Sequence, residues 1–259
     1  ILDKKNELDL KMNKEIDFNL IRGVVQERVG NSYLSEVTIE DVVKKVSSLT
    51  KIKEKDIALD ISKRLGKKIS KQLGVKTILT RSEDVFIPLW RRTEIANDSK
   101  GKLFISIHVN ATPHSTKVKG FETFLLRPGK NDDAIDVAER ENSVIDMETK
   151  NNKYKKISYE NIIVATMAQQ SFVEDSEFMA YSIQNELDKV ITSPNRGIKQ
   201  AGFHVLIGAS MPNVLVEVGF ISNKSEAKLL NKSSYRRQMA RGIFNGISDY
   251  IEYYEKKYN

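Results

Sequence analysis

Apolar residues recur at helical spacing in several segments of the chain, and this pattern predicts amphipathic helices. The clearest repeat has an apolar residue at every fourth position and consists of Ile57, Ile61, Leu65 and Ile69. Because Gly74 follows as a helix stop, we expect a helix over residues 54–72. Further helices are predicted over residues 38–48, 88–97, 132–147, 160–190 and 235–254.

Nearly continuous apolar runs predict buried strands between these helices. The runs cover residues 75–80, 103–109, 120–126, 203–207 and 214–218. Strands that alternate with helices are typical of an α/β fold, so we predict a mostly parallel central sheet flanked by helices. A charged block over residues 127–190 is predicted to be a helical insert within one domain, residues 51–259. Residues 1–50 form an N-terminal segment of unknown role.

The bulk composition narrows the class of protein. The 259 residues are enough for one large domain with its own core, and Ile1 in place of Met suggests a processed or trimmed product. No apolar run has the length of a transmembrane helix, and no secretory signal pattern opens the chain. The absence of cysteine excludes disulfides and thiolate metal sites. The net charge of +7 favours an anionic partner. However, the lysines are scattered along the chain and no DNA- or RNA-binding signature occurs, so we expect no nucleic-acid partner.

One acidic residue, Glu217, interrupts the apolar run of residues 214–220. A carboxylate buried without partners is costly or takes up a proton, so something must offset that cost. Polar residues follow at once and end the strand, and strand ends are where α/β proteins bind their ligands. Glu217 is therefore a candidate for a metal site or a catalytic proton transfer, with a structural salt bridge as the alternative.

A second polar residue, His108, lies near the end of the apolar run of residues 103–109. A lone histidine there is usually a satisfied core residue, but two polar residues at strand ends of one sheet favour a shared site. Imidazole is a common zinc ligand, and a catalytic zinc takes three protein ligands and a water. Glu54, which begins the predicted helix, is a further candidate ligand, although favourable interaction with the helix dipole would account for it equally. A carboxylate that does not bind the metal, such as Glu217, can act as a general base.

Three motifs occur in one order along the chain: Glu54-Lys55-Asp56, Ser106-Ile107-His108-Val109-Asn110-Ala111, and residues 214–223. Over roughly residues 52–250 the chain thereby resembles the zinc-dependent N-acetylmuramoyl-L-alanine amidases of the Amidase_3 type, which hydrolyse peptidoglycan in the bacterial cell envelope. The resemblance implies cleavage of the amide between the N-acetylmuramic acid lactyl group and L-Ala, in a periplasmic or secreted location. It implies Glu54 and His108 as zinc ligands and Glu217 as the general base. Asn110 would contact the substrate or orient a ligand, and a turn role is the alternative.

One ligand of that family is missing from the sequence. The family's first zinc ligand is the histidine of an Asp-Pro-Gly-His-Gly-Gly motif, and this motif does not occur in the chain. The other histidines are His114, which reads as a loop residue, and His204, at a position where the family is variable. Two explanations remain. Either the chain lacks a segment near Thr50, which would also carry the first central strand, or the protein is a catalytically inactive amidase-like peptidoglycan-binding or scaffold protein.

The predicted insert resembles that of the division-type members of the family. The resemblance is carried by residues 137–142, Val-Ala-Glu-Arg-Glu-Asn. In those members a helical insert blocks the metal until a protein activator binds. The resemblance therefore implies an autoinhibited state in which Glu139 or Glu141 takes the open position on the zinc. A solvated charged insert is the alternative reading of the same residues.

Overall fold

A four-stranded sheet with helices on both faces forms the part of the chain that the computed structural model describes, residues 53–112, 115–147 and 159–258. The helices of this part are α1 (Glu54–Gln72), α2 (Leu89–Asp98), α3 (Asp132–Asn142), α4 (Tyr159–Ala168), α5 (Val173–Val190), α6 (Lys224–Leu230) and α7 (Ser233–Tyr258). The strands are β1 (Phe104–Asn110), β2 (Phe121–Leu126), β3 (Asn195–Ala201) and β4 (Asn213–Phe220). Short 3-10 helices cover Ser143–Met147, Gln170–Phe172 and His204–Leu206.

The strand directions bring particular strand ends together. The strand order is β1-β4-β2-β3. β1 is parallel to β4, and β2 is parallel to β3, whereas β2 runs antiparallel to β4. The last residues of β1 and β4 therefore lie at the same edge of the sheet as the first residues of β2 and β3. The mixed α/β fold with a mostly parallel sheet confirms the predicted fold class.

Two apolar clusters fill the space on the two faces of the sheet. The first joins the sheet to α1, α5 and α7, and its buried side chains include Ile57, Ile61, Met179, Ile183, Leu187, Val214, Val216, Ile243 and Ile247. The second joins the other face to α3 and to residues 203–211, and it includes Phe104, Phe124, Leu126, Ala134, Val137, Ala138, Phe203 and Leu215. Because residues 104, 106, 108 and 110 share one face of β1, His108 and Asn110 lie on the face that α3 covers.

The contact between α5 and α7 leaves no room for side chains at two glycines of α7. A Cβ at Gly246 would overlap the backbone of Ile183, whereas a Cβ at Gly242 would lie 2.7 Å from the side-chain atom Cδ2 of Leu187. Backbone cannot rotate away as a side chain can. We expect Gly246→Ala to lower the free energy of unfolding by about 3 kcal/mol and Gly242→Ala to lower it clearly less. Urea unfolding would measure both changes, and equal losses would contradict this packing.

Most predicted elements are confirmed, with small shifts at their ends. Helix α1 covers residues 54–72 and ends before Gly74, whose φ of +67° is the left-handed conformation expected at a helix end. Strands β1, β2 and β4 and the C-terminal helix α7 lie where the apolar patterns predicted them. The predicted helix 132–147 ends at Asn142 and continues as a 3-10 helix.

Three predictions of secondary structure are wrong. Residues 75–80 form no strand, and Val75 and Ile78 are exposed, because no described strand lies beside them to pair with. Residues 203–207 contain a 3-10 helix, and their buried side chains produced the apolar run without a strand. The single helix predicted over residues 160–190 is two helices, α4 and α5, separated by the 3-10 helix Gln170–Phe172. The predicted helix 38–48 lies outside the described residues.

Candidate active site

Three side chains that are far apart in sequence meet above the end of β1. One ligand atom from each of Glu54, His108 and Glu141 lies within 4.8 Å of the other two. Nδ1 of His108 is 2.7 Å from Oε2 of Glu141 and 3.4 Å from Oε1 of Glu54. The structure thus brings together the two ligands that the sequence predicted, and it adds an acid from the predicted insert.

Each member of this cluster is positioned by a different element. Glu54 is the first residue of α1, and its Oε1 accepts a hydrogen bond of 3.1 Å from the backbone N–H of Val109. His108 lies near the end of β1, where its Nε2 is 3.0 Å from Oγ of Ser106. Glu141 is in the last turn of α3, a helix whose N-cap residue is Asn131. The Val109 contact anchors Glu54 to the strand, so the residue does more than favour the helix dipole.

The register of the sheet places Glu217 beside His108. The two residues are paired across the parallel strands β1 and β4, so their side chains lie on the same face of the sheet. Beyond this pair the register shifts by one residue, because Asn110 pairs with Phe220. The extra residue in β4 forms a bulge next to Gly219, whose φ of +152° other residues rarely adopt. Glu217 lies three residues before the end of β4, which extends two residues further than the strand predicted over residues 214–218.

The charges in the cluster favour the protonated form of His108. Burial by itself would lower the pKa of His108, but the carboxylates of Glu141 and Glu54 raise it to about 10. Burial would raise the pKa of Glu141, but the adjacent His108 and Arg140 keep it below its usual value. Two carboxylates thus share one positive charge, here the proton on the imidazole.

Glu217 is the residue that the rest of the described protein leaves unsatisfied. Its side chain is 0% exposed, and neither carboxylate oxygen has a hydrogen-bond partner among the described residues. Burial, together with the neighbouring carboxylates of Glu141 and Glu54, raises the pKa of Glu217 well above its ordinary value. The predicted alternative of a structural salt bridge to Glu217 finds no support in the contacts that the structure describes.

These donors fit a metal ion such as zinc. Zinc is bound by imidazole nitrogens and carboxylate oxygens, and a catalytic zinc uses three such protein ligands. The cluster offers one nitrogen and two oxygens within the spacing of one ion, and its two carboxylates favour a positive charge that a metal ion would supply in place of the imidazole proton. A buried carboxylate with no partner, Glu217, lies on the same face. The histidine that the resemblance implies as a further ligand has no counterpart among these three residues, and Glu141 is one of the two acids that the resemblance implied for the open position on the zinc.

The other predicted residues fall in separate places. Asn110 is fully buried on the face of the cluster, where it contacts α3 rather than forming a turn. Glu139 is exposed and does not join the cluster. His204 lies in a 3-10 helix, and burial lowers its pKa. His114 lies outside the described residues.

A second buried acid, Glu122, was missed by the sequence reasoning. It pairs with Glu217 across the antiparallel strands β2 and β4 and is 1% exposed. Its Oε2 accepts hydrogen bonds from Arg196 and Lys199, and its Oε1 accepts one from Asn110. The signal that singled out Glu217, an acid within an apolar run, is also present in residues 120–126 and would have found Glu122.

The fold matches those of solved N-acetylmuramoyl-L-alanine amidases. The amidase of Clostridium difficile 630 shares 26% identity with a TM-score of 0.57, over 78% of this chain and 85% of that one. The CwlD amidase of Clostridioides difficile, solved in complex with the GerS lipoprotein, shares 27% identity with a TM-score of 0.56, over 78% of this chain and 88% of that one. By its fold, the chain therefore falls in the class of N-acetylmuramoyl-L-alanine amidases.

Sequence comparison identifies the family. The Amidase_3 family model, described as N-acetylmuramoyl-L-alanine amidase, matches residues 45–249, so the chain belongs to this family. The amidase AmiC of Escherichia coli O6:H1 is 32% identical over 202 residues, which are 78% of this chain. The match spans 48% of AmiC, so this chain corresponds to about half the length of that relative. Among the described residues, no helix has both the length and the apolar character needed to cross a membrane.

Proposed function

We propose that the protein is a peptidoglycan hydrolase that cleaves the amide between the lactyl group of N-acetylmuramic acid and L-Ala of the stem peptide. The observation that carries this proposal is the buried, unpartnered carboxylate of Glu217 on the same face as the Glu54–His108–Glu141 cluster. Family membership supplies the substrate class. Because that substrate lies in the cell envelope, we place the protein in the periplasm or outside the cell.

In the closed conformation a zinc ion would be held by Glu54, His108 and Glu141, and after withdrawal of Glu141 its ligands among the described residues would be Glu54 and His108. When bound, zinc supplies Lewis acidity toward the scissile carbonyl and activates a water for attack. His108 would present Nδ1 to the ion, because Nε2 is directed at Ser106. That hydrogen bond fixes the tautomer and the ring orientation of the ligand.

Glu217 is assigned the proton transfers. Burial and the neighbouring carboxylates of Glu141 and Glu54 raise the pKa of Glu217 well above its ordinary value, and a carboxyl group with a raised pKa is a stronger base toward the proton of a water. It takes a proton from the attacking water and gives a proton to the leaving amine of L-Ala. Since its oxygens make no hydrogen bond to the described protein, nothing there competes for that proton.

Helix α3 controls access to the cluster in this proposal. Glu141 is part of α3, and its Oε2 lies 2.7 Å from His108, so the helix covers the place where a substrate carbonyl would have to approach. Glu141 therefore completes the donor set in the resting protein and must withdraw when substrate enters. A protein partner that moves α3 would activate the enzyme, and CwlD with GerS shows that a member of this structural class forms a protein complex.

Replacing Glu141 separates these two roles. We expect Glu141→Ala to weaken zinc binding about 10-fold or more, because one of three ligands is lost, and to raise the hydrolysis rate per bound zinc at saturating metal. Asp136→Ala removes an exposed acid from the same helix and should change neither quantity. Competition titration with a zinc chelator and muropeptide release would measure the two effects. A lower rate per bound zinc would argue against autoinhibition.

One experiment tests the proposed activity against the inactive alternative. Zinc content and muropeptide release from purified peptidoglycan are measured for the wild type and for Glu217→Ala. We expect bound zinc in both proteins and release by the wild type alone. Absence of both zinc and release in the wild type would instead establish an inactive amidase-like binding or scaffold protein.

A further inference from the structure

Asn110 is held between two charged side chains that belong to different parts of the protein. Its Nδ2 donates a hydrogen bond of 2.8 Å to Oε1 of Glu122 on β2. Its Oδ1 accepts a hydrogen bond of 2.5 Å from Nη2 of Arg140 on α3. A carboxylate only accepts and a guanidinium only donates, so the two partners fix which way the amide faces.

The side of the amide that faces Glu122 is anchored in the sheet. Glu122 is 1% exposed, and its Oε2 accepts hydrogen bonds of 3.0 Å from Nε of Arg196 and 2.6 Å from Nζ of Lys199. Both cations belong to β3, so this anchor does not depend on α3. If α3 moved away, Glu122 would still accept the hydrogen bond from Nδ2 of Asn110. Oδ1 of Asn110 would then still point toward the space that α3 had covered.

The side that faces Arg140 depends on α3. Arg140 and Glu141 are neighbours in the last turns of that helix, so a movement that withdraws Glu141 from His108 also withdraws Arg140 from Asn110. Asn110 is 0% exposed while α3 covers it, so the same movement removes the donor of Oδ1 and opens this acceptor to a ligand. A donor from the substrate would satisfy it at the moment the site opens.

We propose that Asn110 is a substrate-recognition residue whose Oδ1 accepts an amide N–H of the substrate, and that Arg140 takes the place of this donor in the closed conformation. This inference rests on the proposed function. Asn110 is two residues beyond His108 on the same face of β1, about 7 Å along the strand. A donor at that distance from the scissile amide is either the next peptide N–H of the stem or the acetamido N–H of the sugar. Glu122 is the positioning residue that orients the amide.

The test measures binding in zinc-supplemented Glu217→Gln protein, so that it does not depend on turnover. The probes are a soluble muramoyl peptide, an analogue N-methylated at the peptide bond after L-Ala, and an analogue with the sugar acetamido group replaced by an acetate ester. We expect Asn110→Ala to weaken binding of the parent about 3- to 10-fold, the effect of one hydrogen bond. It should not weaken binding of the one analogue that lacks the recognised N–H.

The effect of Asn110→Ala on the binding of each of the three probes shows whether Asn110 recognises a substrate N–H. The analogue that escapes the Asn110→Ala effect identifies the donor as stem peptide or sugar. Equal weakening for all three probes, or no weakening for any, would overturn the inference. Wild-type hydrolysis is measured separately, so a failure of the proposed function is recognised on its own.

Arg140→Ala provides a second test in the same Glu217→Gln background. Removing the competing donor should tighten binding of the parent peptide several-fold, and the gain should vanish when Asn110→Ala is added. Lys130→Ala removes the same charge from an exposed position just before α3 and should leave binding unchanged. Weaker binding after Arg140→Ala, or a gain that survives Asn110→Ala, would also overturn the inference.

Discussion

Glu217→Gln should lower the rate of muramoyl-L-alanine amide hydrolysis by about 10²- to 10⁴-fold, the contribution of a positioned general acid–base. Glutamine has nearly the same shape but cannot accept the proton of the attacking water. Since Glu217 is completely buried, no solvent-exposed carboxylate can substitute for it without rearrangement of the sheet. The measurement is muropeptide release under saturating substrate and zinc.

The same variant should keep its zinc and its fold. Glu217 is outside the Glu54–His108–Glu141 donor set, so zinc content per chain should equal that of the wild type. The neutral amide also removes a buried carboxyl group whose ionisation burial opposes, so the unfolding temperature should not fall. Loss of zinc in Glu217→Gln would mean that this residue is a ligand and would contradict the assignment as a base.

His108→Ala is expected to abolish hydrolysis through loss of the metal. The variant removes the only nitrogen donor of the cluster and leaves the carboxylates of Glu54 and Glu141 without the cation that they share. Zinc affinity should fall by more than about 100-fold, beyond the 10- to 100-fold typical for the loss of a group that only supports a ligand. Chelator competition would measure the affinity.

Two control variants show whether the loss of zinc affinity is specific to His108. Ser106→Ala removes the hydroxyl group next to Nε2 of His108, and its effect on zinc affinity should be the smaller one of a supporting group. His204→Ala removes a buried histidine that is not part of the donor cluster and should leave zinc affinity unchanged. If His204→Ala released the metal and His108→Ala did not, the cluster would not be the metal site.

Local patterns account for the elements that could be predicted. The four-residue repeat of α1 and the apolar runs of β1 and β4 can each be recognised within a short segment. Most of the apolar side chains in these patterns are buried in the structure. Strand β3 could not be found in this way, because Asn195–Ala201 is polar and depends on its pairing with β2. Residues 75–80 show the converse case, since a strand-like sequence without a neighbouring strand stays irregular.

The candidate site shows the same division between local and long-range information. Glu54, His108 and Glu217 each stood out within their own segment, and the sheet register brings His108 and Glu217 side by side. The hydrogen bonds of Glu122 could not be predicted, because its partners Arg196 and Lys199 follow it by more than 70 positions. The choice of Glu141 over Glu139 depends on the rotation of α3 about its axis, which no single residue specifies.

The antiparallel direction of β2 makes the contact of Glu141 depend on helix length. The chain leaves β2 at the edge of the sheet away from His108, about 13 Å beyond Glu122. Helix α3 returns over about 14 Å between Asp132 and Glu141, so the two lengths match. One inserted residue would turn Glu141 by about 100° around the helix axis. Inserts of different lengths can therefore keep this acid on His108 only when their helices differ by nearly whole turns, which restricts how such inserts can evolve.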